Sequence, residues 1–225
     1  MTILTLARVP LARLGRSPRS WFSIGFWLAL AVAAAVVTRM GHHGAYRALG
    51  GAYGSFALPL AVFGVTGAVL GGKGLGDATR SLTAFGATAR DAALAALLTA
   101  MAASAVAAAL VGAIVCGVAH GPHDPPLAFD VAQSAAISGL GGAAYASLFL
   151  FGATFARGAG RSVVLGVDFI LGGSGAGAFV LPRGHVRSLL GGEAVLEMSG
   201  RASTITLLVL ALAFGALAVL RSRRV

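Results

Sequence analysis

Six long apolar runs organise this chain, at about 21–38, 55–72, 92–119, 131–156, 162–181 and 203–220, with the polar residues gathered between them. Each run is near the 20 residues that an α-helix needs to cross about 30 Å of hydrocarbon. The first opens on Trp21 and Phe22, with Trp27 near the same end, and such rings suit a membrane–water interface. The third and fourth exceed the required length, which allows tilt or extension beyond the bilayer. The fifth carries Gly172, Gly173, Gly175 and Gly177 and has the least regular pattern. The reading is an all-α polytopic membrane protein, one domain over 1–225, with six transmembrane helices.

Composition agrees. Hydrophobic residues make up 57% of the chain and charged residues 11%, against about 25% charged in a soluble domain. Mean hydropathy is +0.88. The 33 glycines would weaken helices in water, but between helices in a bilayer small residues allow backbones to approach closely. Four arginines precede the first run and no clear small-residue cleavage site follows it, so a cleavable signal peptide is not expected. The lone Cys116 lies within an apolar run and has no partner for an internal disulfide.

The net charge of +10 is spread over the ends of the runs and forms no single patch, which argues for membrane orientation and against nucleic-acid binding. Six spans place Arg8, Arg13, Arg16, Arg19, Lys73, Arg80, Arg90, Arg157, Arg161, Arg221, Arg223 and Arg224 on one side. The other side holds Arg39, Arg47, Arg183, Arg187 and Arg201, and the segment 120–130 has no Lys or Arg. By the positive-inside rule both termini are cytoplasmic, in a multi-pass protein of the plasma (cytoplasmic) membrane.

Between the runs lie three segments of interest. Residues 3–20 mix leucines with Arg8, Arg13, Arg16 and Arg19, the pattern of an amphipathic segment along the inner membrane surface. Pro10 predicts two short pieces there instead of one helix; a disordered basic tail is the alternative. Residues 73–91 form the main cytoplasmic loop. Asp77 is placed to cap a short helix carrying Leu82 and Phe85 on one face, either a docking knob for another protein or a plain connector. The five histidines, His42, His43, His120, His123 and His185, all fall on the outer side near Asp124, Asp130 and Glu193. Imidazoles and carboxylates of this kind suit Zn²⁺ or Cu²⁺, although no tight ligand spacing joins them.

Asp168 is the only acidic residue within a predicted span, about 10 Å in from Arg161 at 1.5 Å per residue. A carboxylate at that depth demands a bundle interior, a wet cavity or an arginine. It serves substrate contact or proton coupling, or else snorkels to Arg157 or Arg161. Two enzyme motifs nearly occur. Gly67 to Gly72-Lys73 resembles a P-loop but continues with Gly74 where Ser or Thr should hold Mg²⁺, so no ATPase is expected in this chain. Gly172-Gly173-Ser174-Gly175 spells the G-x-S-G of rhomboid-type proteases, yet no predicted span supplies a histidine base.

The order of parts resembles the permease subunit of type-2 ABC transporters. Leu11-Ala12-Arg13-Leu14-Gly15-Arg16-Ser17-Pro18-Arg19-Ser20 is similar to that family's basic lead into its first span. Gly76-Asp77-Ala78-Thr79-Arg80-Ser81-Leu82 followed by Gly86-Ala87-Thr88-Ala89-Arg90 looks like its coupling segment, without the proline that many members carry before the final arginine. Leu181-Pro182-Arg183-Gly184-His185-Val186-Arg187-Ser188-Leu189-Leu190 resembles its outer re-entrant part, here expected over 182–200 with Leu189-Leu190 dipping into the interface. The resemblance implies six spans after an interfacial amphipathic helix, and a coupling helix over 75–90. Asp77, Thr79, Arg80, Leu82, Phe85 and Arg90 would meet a separate ATP-binding subunit.

It further implies two permeases, in a homodimer or related heterodimer, with two ATPase copies that bind ATP and Mg²⁺, while the chain itself holds no cofactor. Transport, most simply export, would follow alternating access. Ser134, Ser138, Gly142 and Ala146, four apart on the fourth run, predict a close helix contact either within the chain or with a second copy. The rival readings are an ion-coupled secondary transporter using Asp168, and a membrane enzyme or assembly factor with an outer His/Asp/Glu site.

Overall fold

The structure, a computed structural model, describes residues 2–155, 158–173 and 175–222, without the side chains of Arg19 and Ser20. Arg157, Ser174, Arg223 and Arg224 therefore lie outside the described residues, and so does the side chain of Arg19. Among the described residues there are helices and turns and no strand. In chain order the elements are α1 (Ile3–Gly15), α2 (Pro18–Met40), α3 (Ala45–Ala48), a π-helical stretch (Leu49–Ala57), α4 (Leu58–Val69), α5 (Leu75–Ala84), α6 (Ala89–Ala119) and α7 (Leu127–Gly152). They continue with α8 (Gly160–Leu171), α9 (Gly175–Val180), α10 (Pro182–Leu189), a 3₁₀ turn (Val195–Glu197) and α11 (Gly200–Arg221).

Five helical stretches are long and apolar enough to cross a membrane: Trp21–Met40, Ala45–Val69, Ala89–Ala119, Leu127–Gly152 and Gly200–Arg221. The second begins about ten residues before the expected 55, because helix continues back through Gly54, Gly51 and Gly50 as a π turn. Pro59, at the start of α4, has no N–H to offer the preceding turn, and a widened turn ahead of a proline is a common adjustment.

The expected run 162–181 is not one helix. α8 ends at Leu171, the chain bends through Gly172 and Gly173, α9 follows, and Pro182 opens α10 at the position where its missing N–H costs nothing. At 1.5 Å per residue α8 alone reaches only about 18 Å.

The core is the antiparallel pair α6 and α7. The stripe Ser134, Ser138, Gly142 and Ala146 is buried, and it meets α6 of the same chain. A Cβ on Gly142 would stand 2.6 Å from the Ser104 carbonyl oxygen and 2.8 Å from Ala108 Cβ, and one on Gly112 would stand 2.7 Å from Ser138 Cβ. In hydrocarbon such closeness would stand in for the hydrophobic drive, since lipid tails are as apolar as the side chains. The Tyr53 hydroxyl donates to the Ala108 carbonyl at 2.7 Å and ties the π stretch to α6. α11 packs on α7, with Phe151 and Phe214 stacked at 5.7 Å, and also meets α6, where a Cβ on Gly215 would stand 3.1 Å from Leu97.

Loop contacts tie the helices together at two ends of the bundle. At one end the Leu75 N–H donates to the Ala153 carbonyl at 2.9 Å, joining α5 to the end of α7. At the other end the Ala45 N–H donates to Asp124 at 3.0 Å, and Arg39 reaches the Val118 carbonyl at 3.5 Å.

α1 runs unbroken through Pro10, contrary to the two pieces expected. One hydrogen bond is lost there, but Leu6 and Pro10, a turn apart, are both buried. Leu6 packs with Leu82, Ala92 and Ala95 from α5 and α6, and that packing outweighs the missing bond.

Candidate functional site

α5 is a ten-residue helix that packs against α6, with Leu75, Ala78, Thr79 and Leu82 buried. Thr79 donates its hydroxyl to the Leu75 carbonyl at 2.9 Å and so faces inward. Leu82 was expected beside Phe85 on the outward face; it is 5% exposed and part of the cluster with Leu6. Phe85, the residue that ends the helix, is 80% exposed. Asp77 is not a cap either. Gly74 holds that position, while Asp77 sits in the first turn, where its charge suits the helix dipole, and pairs with Arg80 at 2.7 Å.

The loop after α5 is tight. Gly86 takes φ +88, the left-handed conformation that ends many helices, and the Ala87 N–H returns to the Leu82 carbonyl at 3.2 Å. Thr88 then accepts the Asp91 N–H at 3.1 Å and caps α6. Arg13 of α1 fastens the helix from the other side, donating to the Ala78 carbonyl at 2.8 Å and to Ser81 Oγ at 3.2 Å. The outward surface thus consists of Arg80, Ser81, Ala84, Phe85 and Arg90. It is a ring-tipped basic ledge. A groove of about 340 Å³ separates it from the ends of α7 and α11, bounded by Asp77, Arg80, Thr154 and Ser222.

Asp168 is fully buried. Its Oδ2 accepts the Tyr145 hydroxyl of α7 at 3.1 Å, and its Oδ1 has no hydrogen-bond partner. Arg183 of α10 lies close by: a Cβ on Gly172 would stand 2.9 Å from Asp168 Oδ1 and 3.1 Å from Arg183 Cβ. Among the described residues, however, the two charges form no ion pair, and neither does Asp168 with Arg161. Arg183 donates instead to the Phe169 carbonyl at 2.9 Å, with its guanidinium carbon 4.4 Å from the Phe169 ring centre and 5.2 Å from that of Phe56.

His185, expected in an outer loop, is fully buried on α10, with Nε2 2.9 Å from the Phe179 carbonyl. Leu190, expected to dip into the interface, is likewise buried and would touch a Cβ placed on Gly54. Tyr145 and Arg183 escaped the sequence reading as partners of Asp168. A tyrosine amid Ala, Gly and Ser was the available signal.

On the opposite end, the structure brings His120, Asp124 and Asp130 together, their ligand atoms within 4.8 Å of one another. This is the only such group among the described residues. His42, His43 and His123 are exposed and lie outside it. Asp124 Oδ2 is already occupied, accepting the N–H groups of Ala45 and Gly121 at 3.0 and 2.8 Å. His120 Nδ1 stands 3.8 Å from Asp130 Oδ2, too far for a hydrogen bond. The donor set is chemically apt for Zn²⁺, but the Asp124 oxygen fastens the loop after α6 to the start of the second apolar stretch.

The P-loop-like glycines end a helix. Gly71 and Gly72 take φ +61 and +75, and the Gly72 N–H closes onto the Gly67 carbonyl at 2.8 Å, a helix C-terminal motif. Arg8 on α1 and Arg16 just after it, both of the basic lead, are exposed, and Arg13 is half-buried. No protein-family model, no curated protein and no solved structure matches this chain.

Proposed function

We propose that this chain is the membrane subunit of an ATP-driven transporter of the type-2 ABC permease kind, working as an exporter in a dimer with two ATP-binding subunits. It lies in the plasma membrane with both termini cytoplasmic. The sixth crossing is the broken segment α8–α10, in which α8 enters from the cytoplasmic side and α9 and α10 fold back within the outer half. Irregular backbone at such depth is tolerated where protein covers it or a water-filled cavity meets it; Gly172 and most of α10 are buried within the chain, while Gly173, Gly175 and Ala176 are exposed. α1 lies along the inner leaflet, with Leu4 and Leu11 exposed toward acyl chains.

The observation that carries the reading is α5. Between the second and third spans a short helix is clamped from within by Leu75 and Leu82 and from the side by Arg13, while it presents Phe85, Arg80 and Arg90 outward. A helix held so firmly transmits a push. In this role α5 fits an acidic-rimmed apolar groove on the ATPase, and ATP-driven closure of the ATPase pair moves the α4–α5–α6 unit against the other spans.

The test is co-purification of the ATP-binding subunit with the tagged chain, in wild type and in Phe85→Asp/Arg80→Glu. The wild type brings down an ATPase and the double variant loses it while remaining folded. Leu82→Asp is unsuitable for this purpose, because a carboxylate in that packed position breaks the fold itself. A folded wild-type chain that recovers no ATPase sinks the reading. Ion coupling through Asp168 then becomes the one to pursue, on the strength of its burial and its open Oδ1.

A further inference from the structure

A cavity of about 1010 Å³ opens at the basic end of the molecule, walled by α1, α2, α4 and α8. Four arginines line it: Arg8 and Arg13 from α1, Arg16 just after it, and Arg161 from α8. None of the chain's seven acidic residues does. Arg13 is held by α5, as described above, but Arg8 and Arg16 make no hydrogen bond or ion pair among the described residues.

Arg161 is the distinctive member. It is 7% exposed, and its Nε and Nη1 have no hydrogen-bond partner. Its guanidinium carbon sits 5.2 Å from the Phe63 ring centre, and Nη1 comes within 2.9 Å of where a Cβ on Gly67 would be. Only glycine at 67 lets the group lie against the α4 backbone at that distance.

A guanidinium removed from water without a counter-charge is strongly unfavourable. Three further guanidiniums beside it, with no acid to balance them, make the cavity a site for an anion with several oxygen acceptors, which the forked donors of arginine match. The α8 N-terminus, of which Arg161 is the second residue, adds its positive dipole end at the same place. Val9 and Ala12 of α1 and Ala68 of α4 add apolar lining between the arginines, and Leu4 and Leu11 elsewhere on α1 are exposed.

We infer that this cavity binds the phosphate of an anionic phospholipid of the inner leaflet, with Arg161 as the buried anchor and Arg8 and Arg16 closing over the headgroup. The inference requires the chain to sit in a bilayer but not that it serve an ATPase. Because Arg13 both lines the cavity and holds α5, the bound headgroup stands one side chain away from that helix.

The test uses full-length protein in a neutral detergent, with thermal unfolding followed as lipid is titrated. Phosphatidylglycerol should raise the midpoint and phosphatidylcholine should not. In Arg161→Gln the phosphatidylglycerol dose needed should rise about tenfold, as for one lost charge-assisted hydrogen bond. Arg47→Gln/Arg201→Gln, at the opposite end, should respond like wild type.

Should Arg161→Gln fail to fold, Arg8→Gln/Arg16→Gln, at exposed positions, is read in its place with the same expected rise. Equal responses to the two lipids, or an unshifted dose in the arginine variants, would overturn the proposal. Inorganic phosphate is titrated alone and in competition with the lipid. A midpoint rise from phosphate alone that abolishes the lipid response assigns the site to a soluble phosphate and overturns the lipid assignment.

Discussion

Replacing Gly142 by alanine puts a methyl group where the α6 backbone already stands. The added Cβ would be 2.6 Å from the Ser104 carbonyl oxygen, 3.0 Å from its carbon and 2.8 Å from Ala108 Cβ. Two of these three are backbone atoms, so no side-chain rotation relieves the contact, and α6 and α7 must move apart. The separation loosens the packing on either side, including that of Ser138 against Gly112. Overpacking of this kind costs about 1–3 kcal/mol.

Two controls share the same pair of helices. Gly139→Ala meets the Ala105 carbonyl at 3.4 Å and Ala109 Cβ at 3.5 Å, ordinary contact distances, and should be close to neutral. Gly117→Ala on α6 meets nothing within 4 Å and should be neutral or stabilising by up to about 1 kcal/mol through helix propensity. The assay is reversible unfolding in mixed micelles of increasing sodium dodecyl sulfate content, followed by circular dichroism. The expected order of stability is Gly117→Ala, Gly139→Ala, then Gly142→Ala well below wild type. Gly142→Ala as stable as Gly139→Ala would refute the close α6–α7 seam and reopen that stripe as a contact with a second copy.

Two further outcomes follow from side-chain geometry. Tyr145→Phe removes the hydroxyl that Asp168 accepts and should destabilise by about 1–3 kcal/mol; the same change in an Asp168→Asn background should cost less, and a double-mutant cycle in the micelle assay measures the difference. Asp124→Ala releases the N–H groups of Ala45 and Gly121 together, so limited proteolysis should cut within 120–127 faster in the variant, and equal rates would show that the carboxylate does not hold that loop.

Hydropathy located the five long apolar helices because a bilayer, as solvent, would impose it directly, residue by residue. It misjudged 162–181 because an average over Gly172, Gly173 and Gly175 conceals the bend those residues permit. The stripe on α7 was legible as a close-packing face, since small residues four apart have few other uses in a membrane. Its occupant was not, because every apolar helix offers α7 similar chemistry and only the Gly112–Ser138 fit decides for α6.

On α5, sequence spacing set Leu82 and Phe85 on a common face. α1 folds back to cover Leu82 and leaves Phe85 open, which no pattern within 73–91 could reveal. The Asp168 site was half visible: a buried acid announces the need for a partner, whereas Tyr145, 23 residues earlier, and Arg183, 15 residues later, become neighbours only through folding. The anchor role of Arg161 escaped for the same reason, since it depends on Gly67, nearly a hundred residues away.

The short, broken segment α8–α10 has a consequence for biogenesis. A ribosome delivering this chain to an insertion channel presents α2, the second span, α6 and α7 as segments greasy enough to leave sideways into lipid one at a time. The stretch from Gly160 to Leu190 is different, carrying Arg161, Asp168, Arg183, His185 and Arg187, and it would not partition alone. It needs a receiving surface already in place, the Tyr145 face of α7 and the glycine-lined π turn of the second span, and it must be kept near them until α11 emerges to close the bundle. The Asp168 carboxylate, the Arg183 guanidinium and the His185 imidazole would therefore be sheltered only after α7 and the second apolar helix are in place.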